Sequence, residues 1–271
     1  MMQAAEEAGA VLMRRFRGLA KLRVELKGPA DFVSAADRES EDLLRTRLLG
    51  RHPRHGFLAE ESAPTVGADE RTRFVVDPLD GTTNFLHGVP HFAVAVALQH
   101  EGEMVAAVVY DAPKGEMFAA ERGRGAYLNG QRLRVATDRD LSQAIVAVGI
   151  PHSSSRPRHP RYLAILADVM RDAAGIRRLG AAALDLSYVA AGRFAVFFEL
   201  GLAPWDLAAG SLLVREAGGA VSEPDGGPGF LESGDVLATN GRLHASTQEI
   251  LRRATRRASP ARRPPRRSPR A

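Results

Sequence analysis

The 271-residue sequence predicts an α+β first half that continues without a linker into an α/β second half. Three observations predict it. Apolar runs of strand length, punctuated by tight-turn signals, crowd residues 92–128. Helical and strand patterns alternate after Pro151. No break rich in Gly, Pro or Ser and no internal repeat separates the halves. They read as one domain over residues 1–255, α+β over about 1–150 and α/β over about 151–255.

Each element has its own signal. Ala8, Val11, Leu12 and Phe16 share one face of a helix over residues 3–17. Residues 22–26 are strand-like, and residues 27–31, with Gly28 and Pro29, read as a loop. A second helix runs from about Asp37 to Leu49 and stops at Gly50 and Pro53. Phe57-Leu58 and Phe74-Val75-Val76 are short buried strands, each delivering acids at its C-terminal end. Residues 92–98 and 104–110 flank Glu101-Gly102 as a hairpin. Residues 116–120 and 126–128 follow, with Asn129-Gly130 as a tight turn. Beyond these, helices fall near 160–174, 182–191, 205–217 and 241–253, and strands near 145–148, 194–199, 219–222 and 236–239.

The formal net charge of +5 belongs to the C-terminus. Residues 252–271 hold nine Arg and no acid, and without them the chain carries −4. The mildly acidic body gives no electrostatic support to nucleic-acid binding by the folded part. Residues 256–271 have no core-forming side chain and read as a disordered Arg/Pro-rich tail. That tail is either a nucleic-acid arm or a solvated end with no selected role. No apolar run approaches the roughly 18 residues of a membrane span. The N-terminus is acidic and lacks the basic region of a signal peptide, and the absence of Cys excludes disulfides and thiolate chemistry. A cytoplasmic protein without membrane contact is expected.

Residues 77–85 read Asp-Pro-Leu-Asp-Gly-Thr-Thr-Asn-Phe. Pro78 holds Asp77 extended and denies a helical start, so the strand is expected to end in a turn on which both carboxylates converge. Gly81 frees that turn. Thr82 or Thr83 can then cap a helix whose exposed N–H groups attract an anion. Hard carboxylate oxygens beside such a place suit Mg²⁺ and phosphate together. A D-x-x-D-G alone is more often a turn with solvated acids. Its company changes that. Glu60-Glu61 follows an upstream strand, Asp31 and Asp37 lie at a helix start, and Asp206 follows Pro204-Trp205 at another. Small residues at 180–183 let a ligand approach the backbone. Glu60, Asp77, Asp80 and Asp206 are the carboxylates that two or three clustered Mg²⁺ ions would want.

The run from Asp77 to Phe85, with Trp205-Asp206 followed by Ala217-Gly218-Gly219, resembles the signatures of the inositol monophosphatase family, Mg²⁺-dependent and lithium-sensitive phosphatases. Order and spacing agree from about residue 5 to residue 251. The resemblance implies a layered α-β-α-β-α sandwich of the inositol monophosphatase and fructose-1,6-bisphosphatase type, commonly a homodimer. It implies a first metal on Glu60, Asp77 and the Leu79 carbonyl, a second on Asp77, Asp80 and Asp206, and a third reached by Glu60. Gly81 and Thr82 would offer N–H groups to the phosphate, and the Thr82 hydroxyl, paired with Asp37, would orient water. Asp37, Glu60 and Thr82 are thus the expected catalytic residues, while Ala182, Glu199 and Asp206 resemble positions that touch the inositol.

The implied reaction is hydrolysis of a small phosphorylated polyol, myo-inositol 1-phosphate, by in-line attack of a metal-activated water. Thr82-Thr83-Asn84-Phe85 favours this branch over relatives acting on histidinol phosphate, phosphoadenosine phosphate or fructose 1,6-bisphosphate. Those substrates, and a regulatory RNA- or transcription-associated binding role, stand as alternatives. Ala181 departs from the Thr or Ser of many relatives and removes one hydroxyl contact. Lys27 and Asp31 either belong to a loop resembling the family's metal-sensing one or are surface charges. His87 and His91 have a ligand-like spacing that Pro90 denies to a helix. Residues 152–155 lack the partners of a nucleophilic Ser, and Arg177-Arg178 read as solvated, with subunit contact or substrate charge as the alternative.

Overall fold

Apolar residues at helical spacing build the first layer. Helix α1 (Met2–Phe16) buries Ala4, Ala8, Val11 and Leu12, and α2 (Ala35–Arg51) buries Leu44 and Leu48 before the chain reaches Pro53. The computed structural model describes residues 1–19, 24–28, 31–150 and 159–258, with 24–28, 31–34 and 258 as backbone only. Between the two helices, β1 (Val24–Gly28) and β2 (Asp31–Ser34) pair antiparallel.

A seven-stranded sheet follows in simple chain order: β3 (His55–Ala59), β4 (Asp69–Asp80), β5 (Ala93–His100), β6 (Glu103–Asp111), β7 (Glu116–Glu121), β8 (Gly125–Leu128) and β9 (Gln131–Arg132). Only β3 and β4 run parallel, and the short helix α3 (Thr82–Leu86) joins β4 to β5. The second half alternates β10 (Ile145–Val148), α4 (His159–Asp172), β11 (Gly175–Arg177), α5 (Ala182–Ala190), β12 (Val196–Glu199), α6 (Pro204–Glu216), β13 (Ala220–Ser222), α7 (Phe230–Ser233), β14 (Val236–Thr239) and α8 (His244–Ala258). Its strands form a five-stranded sheet in the order β11-β10-β12-β14-β13.

Strand periodicity sorts the side chains into three cores. Val94 and Val96 of β5 face α1 and α2, whereas Ala93, Ala95 and Ala97 face α5 and α6. On β12, Phe197 joins that same middle core while Val196 and Phe198 join α4 and α8 outside. The layers are therefore α1/α2, the large sheet, α5/α6, the small sheet and α4/α8. This is the expected α-β-α-β-α sandwich. The small Ala side chains on the inner face of β5 let α6 lie close to the sheet.

Several local expectations are corrected. Residues expected as a loop at 27–31 fall largely in β1 and β2, because each short run finds a backbone partner in the other. The strand does not end at Asp77 but continues through Pro78 to Asp80. Neither Thr82 nor Thr83 caps α3. Gly81 occupies the N-cap with φ of 91°, and no side chain caps the helix. Helix α8 runs on to Ala258, into the stretch assigned to the tail. Residues 259–271, residues 152–155 and the side chains of Lys27 and Asp31 lie outside the described residues.

Candidate active site

On a regular strand, residues three apart face opposite sides of the sheet. Asp77 and Asp80 do not. In the pairing with β5, Asp77 stands opposite Ala95 and Asp80 opposite Ala93, so β4 carries one residue more than its partner between them. This bulge turns both carboxylates to the side of the sheet that faces α5 and α6. Pro78 fits there because a bulged position asks for no ladder N–H. The Ser40 hydroxyl of α2 donates to the Pro78 carbonyl at 2.8 Å and the Leu79 N–H to Asp77 Oδ1 at 3.0 Å, which hold the distortion in place.

Two helix starts close the site from the other side. Pro204 opens α6, and Asp206, two residues later, accepts the Ala203 N–H at 2.7 Å. The start of α5 points its N–H groups at Asp80: Ala182 donates to Oδ1 at 3.1 Å and Ala183 to Oδ2 at 2.9 Å. Carboxylate oxygens of Asp77, Asp80 and Asp206 lie within 4.8 Å of one another. The Thr82 hydroxyl lies 3.1 Å from Asp37 Oδ1 and 3.0 Å from the Leu79 carbonyl. Both are acceptors that compete for its single proton, so the hydroxyl oxygen keeps its own capacity to accept. The Asn84 amide donates to the carbonyls of Leu179 at 2.8 Å and His91 at 2.9 Å, tying α3 to the approach of α5.

Crowding sets the electrostatics. Burial first, and then the charges of Glu60, Asp80 and Asp206, raise Asp77 well above the usual carboxylate range. Asp80 is pushed up to about 7 by burial and by Asp206, against the helping N–H groups of Ala183 and Ala182. Asp206 rises to about 6, again chiefly through burial, with the Ala203 N–H opposing. Glu199 rises to about 8, through burial and then the charge of Asp206. Acids this close do not all stay ionised without a counter-cation. An all-oxygen donor set with this much negative charge fits a hard divalent ion.

The structure thus brings together Glu60, Asp77, Leu79, Asp80 and Asp206, sets Asp37 on Thr82, and places Glu199 within electrostatic reach of Asp206. The Ala182 N–H is engaged by Asp80, and its side chain is buried in the middle core. Among the described residues the His87 ring meets the Thr83 carbonyl and the His91 ring meets Lys114. Sequence reasoning missed Ser40, the tethering role of Asn84, and Asp185, a buried acid on α5. Arg178, for which the sequence leaves solvation, subunit contact and substrate charge open, is exposed and also near enough to lower Glu199 and Asp185. Only the position of Asp185 one turn after Ala182 could have signalled it.

Comparison with known proteins decides the family. The model of the inositol monophosphatase family matches residues 1–257. The chain belongs to that family. Inositol-1-monophosphatase of Rhizobium meliloti (strain 1021) is 50% identical over 253 residues, 93% of this chain and 95% of its own. Nus factor SuhB of Escherichia coli (strain K12) is 44% identical over 241 residues, 89% of this chain and 90% of its own. Among solved structures, the extragenic suppressor protein suhB from Bartonella henselae superposes with a TM-score of 0.90 and 48% identity, over 93% of this chain and 96% of that one. The five-layer sandwich is the inositol monophosphatase fold. The chain is an enzyme, a phosphatase of a metal-dependent family. No helix among the described residues is long and apolar enough to cross a membrane.

Proposed function

We propose that the protein is a Mg²⁺-dependent phosphatase that hydrolyses myo-inositol 1-phosphate. The convergence of Asp77, Asp80 and Asp206 within 4.8 Å, at the starts of two helices, carries this reading. Glu60, Asp77 and the Leu79 carbonyl would hold one Mg²⁺ and Asp77, Asp80 and Asp206 a second, with Glu60 reaching a third. Bound Mg²⁺ supplies what phosphate ester hydrolysis lacks: screening of the dianion, a more acidic water and support for the departing oxygen.

The chain's own groups supply position. Gly81 and Thr82, as the first N–H groups of α3 with no intrahelical acceptor, receive phosphate oxygens. Thr82, its proton held between Asp37 and the Leu79 carbonyl, accepts from the attacking water and turns a lone pair toward phosphorus. Glu60 takes up the water's proton. Asp206 and Glu199 accept from hydroxyls of the leaving group, beside Ala182. Lithium inhibition, a homodimeric assembly and a cytoplasmic setting belong to the same reading.

A panel of inositol 1-phosphate, histidinol phosphate, phosphoadenosine phosphate and fructose 1,6-bisphosphate tests the substrate, with inositol 1-phosphate expected to be turned over best. A reversed ranking removes the substrate assignment. Asp77→Asn should abolish turnover with an unchanged circular dichroism spectrum; Mg²⁺-dependent activity that persists removes the metal assignment. The relative named Nus factor SuhB favours a second, transcription-associated role beside catalysis. Deleting residues 259–271 should leave catalysis intact, so a lost RNA-binding function would locate that role in the tail.

A further inference from the structure

Helix α2 presents three polar side chains within about one turn, and each reaches a different part of the site. Asp37 meets the Thr82 hydroxyl of α3 at 3.1 Å, and Ser40 donates to the Pro78 carbonyl in the β4 bulge at 2.8 Å. The third is Glu41, whose Oε2 accepts the Glu61 N–H at 2.8 Å. Positions i, i+3 and i+4 share one helix face, so a single rigid element ties all three parts together. Glu41 is 3% exposed, and burying a carboxylate is costly unless its oxygens are engaged. One oxygen has the Glu61 N–H, and the other lies 3.9 Å from the guanidinium of Arg45, the next turn along. Arg45 in turn donates to Ser62 Oγ at 2.5 Å and to Thr65 Oγ1 at 3.3 Å, with its guanidinium 4.3 Å over the Phe57 ring. The segment these groups hold is the one that carries Glu60. Strand β3 ends at Ala59, and Thr65 bridges back to Phe57. Between them, Glu60, Glu61 and Ser62 belong to no strand or helix.

We propose that Glu41 is a positioning residue that acts through Glu60. By accepting the Glu61 N–H it fixes the direction in which the adjacent Glu60 carboxylate leaves the chain. It does so from the same turn of α2 that holds Thr82 and the bulge of β4. This rests on the reading of Glu60 as a ligand to Mg²⁺. That ion demands near-ideal octahedral placement of its oxygens, so a ligand on an unsupported bend needs an outside hold. Partners that orient a ligand in this way change metal affinity by about 10–100-fold when removed. The hold requires an acceptor oxygen and no charge. The amide oxygen of Gln can therefore take the place of the Glu41 carboxylate, whereas Leu, of similar size, cannot.

Isothermal titration calorimetry with MgCl₂, on the full chain freed of metal, tests this through the Kd of the tightest-bound Mg²⁺. The chains compared are the wild type, Glu41→Leu, Glu41→Gln, Glu60→Gln and the double variant Glu41→Leu/Glu60→Gln. Glu41→Leu should raise Kd about tenfold in the otherwise wild-type chain. In the Glu60→Gln background the same substitution should raise it about twofold at most, because a residue acting through Glu60 has nothing left to position. Glu41→Gln should stay within about threefold of the wild type. A merely structural role would loosen the site by the same factor in both backgrounds. An unchanged Kd in Glu41→Leu, an equal change in both backgrounds, or a Glu41→Gln variant as weak as Glu41→Leu overturns the proposal. If Glu41→Leu does not fold, Glu41→Asp, one methylene short of the Glu61 N–H, decides by the same comparison of backgrounds. Wild-type protein that binds no Mg²⁺, or binds it no more tightly than Glu60→Gln, removes the metal reading of Glu60 and this proposal with it. Binding that Glu60→Gln weakens and Glu41→Leu leaves alone removes this proposal only.

Discussion

Replacing Asp80 by Asn in the metal-free protein should reverse part of its pH dependence of stability. In the fold the Asp80 carboxyl titrates at about 7, against an ordinary value of 3.8. Between those values the unfolded chain has already released the proton and the folded one has not. The unfolded state therefore binds fewer protons, and stability falls as pH rises across that window. Each pH unit is worth about 1.4 kcal/mol, so the span of about three units amounts to about 4 kcal/mol lost by neutral pH. For a chain of this size that corresponds to about 8–16 °C in Tm. Asn cannot titrate, and its amide nitrogen would face one of the N–H groups of Ala182 and Ala183, a fixed cost at every pH. Thermal melts in a chelator, from about pH 5 to about pH 8, cover about two of those three units and should show the variant gaining on the wild type by about 3 kcal/mol, or about 6–12 °C. Saturating Mg²⁺ should cancel the gain, because the ion stabilises only the intact carboxylate cluster. A Tm gap that is flat with pH, or that moves the other way, refutes the argument that crowded carboxylates are held together at a cost.

Two further substitutions probe the walls of the site. Thr82→Ala should lower kcat about 10²-fold or more with little change in KM, and Thr82→Ser should restore most of it, as measured by steady-state kinetics. Asn84→Ala leaves the Leu179 and His91 carbonyls without their donor. It should cost about 2–3 kcal/mol in denaturant melts and lower kcat/KM as the start of α5 loosens.

Much of the site was legible because chemistry and chain order coincide. The acids that meet at the cluster sit in segments whose neighbours announce an element boundary: Pro204 before Asp206, apolar Phe57-Leu58 before Glu60, and Phe74-Val75-Val76 before Asp77. The layered fold was legible only through the family resemblance, since periodicity yields elements but not their partners. What escaped depends on contacts distant in sequence. The antiparallel pairing of β1 with β2, the Ser40 bond to Pro78 and the Asn84 bond to Leu179 each join residues whose types are unremarkable on their own. Asp185 escaped for the opposite reason: an acid three positions into a helix looks like a favourable charge at its start. Only the packing of α5 between two sheets shows it to be buried.

The extra residue in β4 also makes metal binding a gauge of strand register. Were β4 to pair regularly with β5 at every step beyond Asp77, with no bulge, Asp80 would stand opposite Phe92 and swing to the opposite face of the sheet, among Phe92 and Val94. A chain folded one residue out of step would suffer the same fate and lose its second carboxylate. Ions that bind only the bulged arrangement therefore favour, by mass action, the population in which the large sheet has paired correctly. In this molecule the cofactor would serve as an inspector of the fold as well as an agent of the reaction.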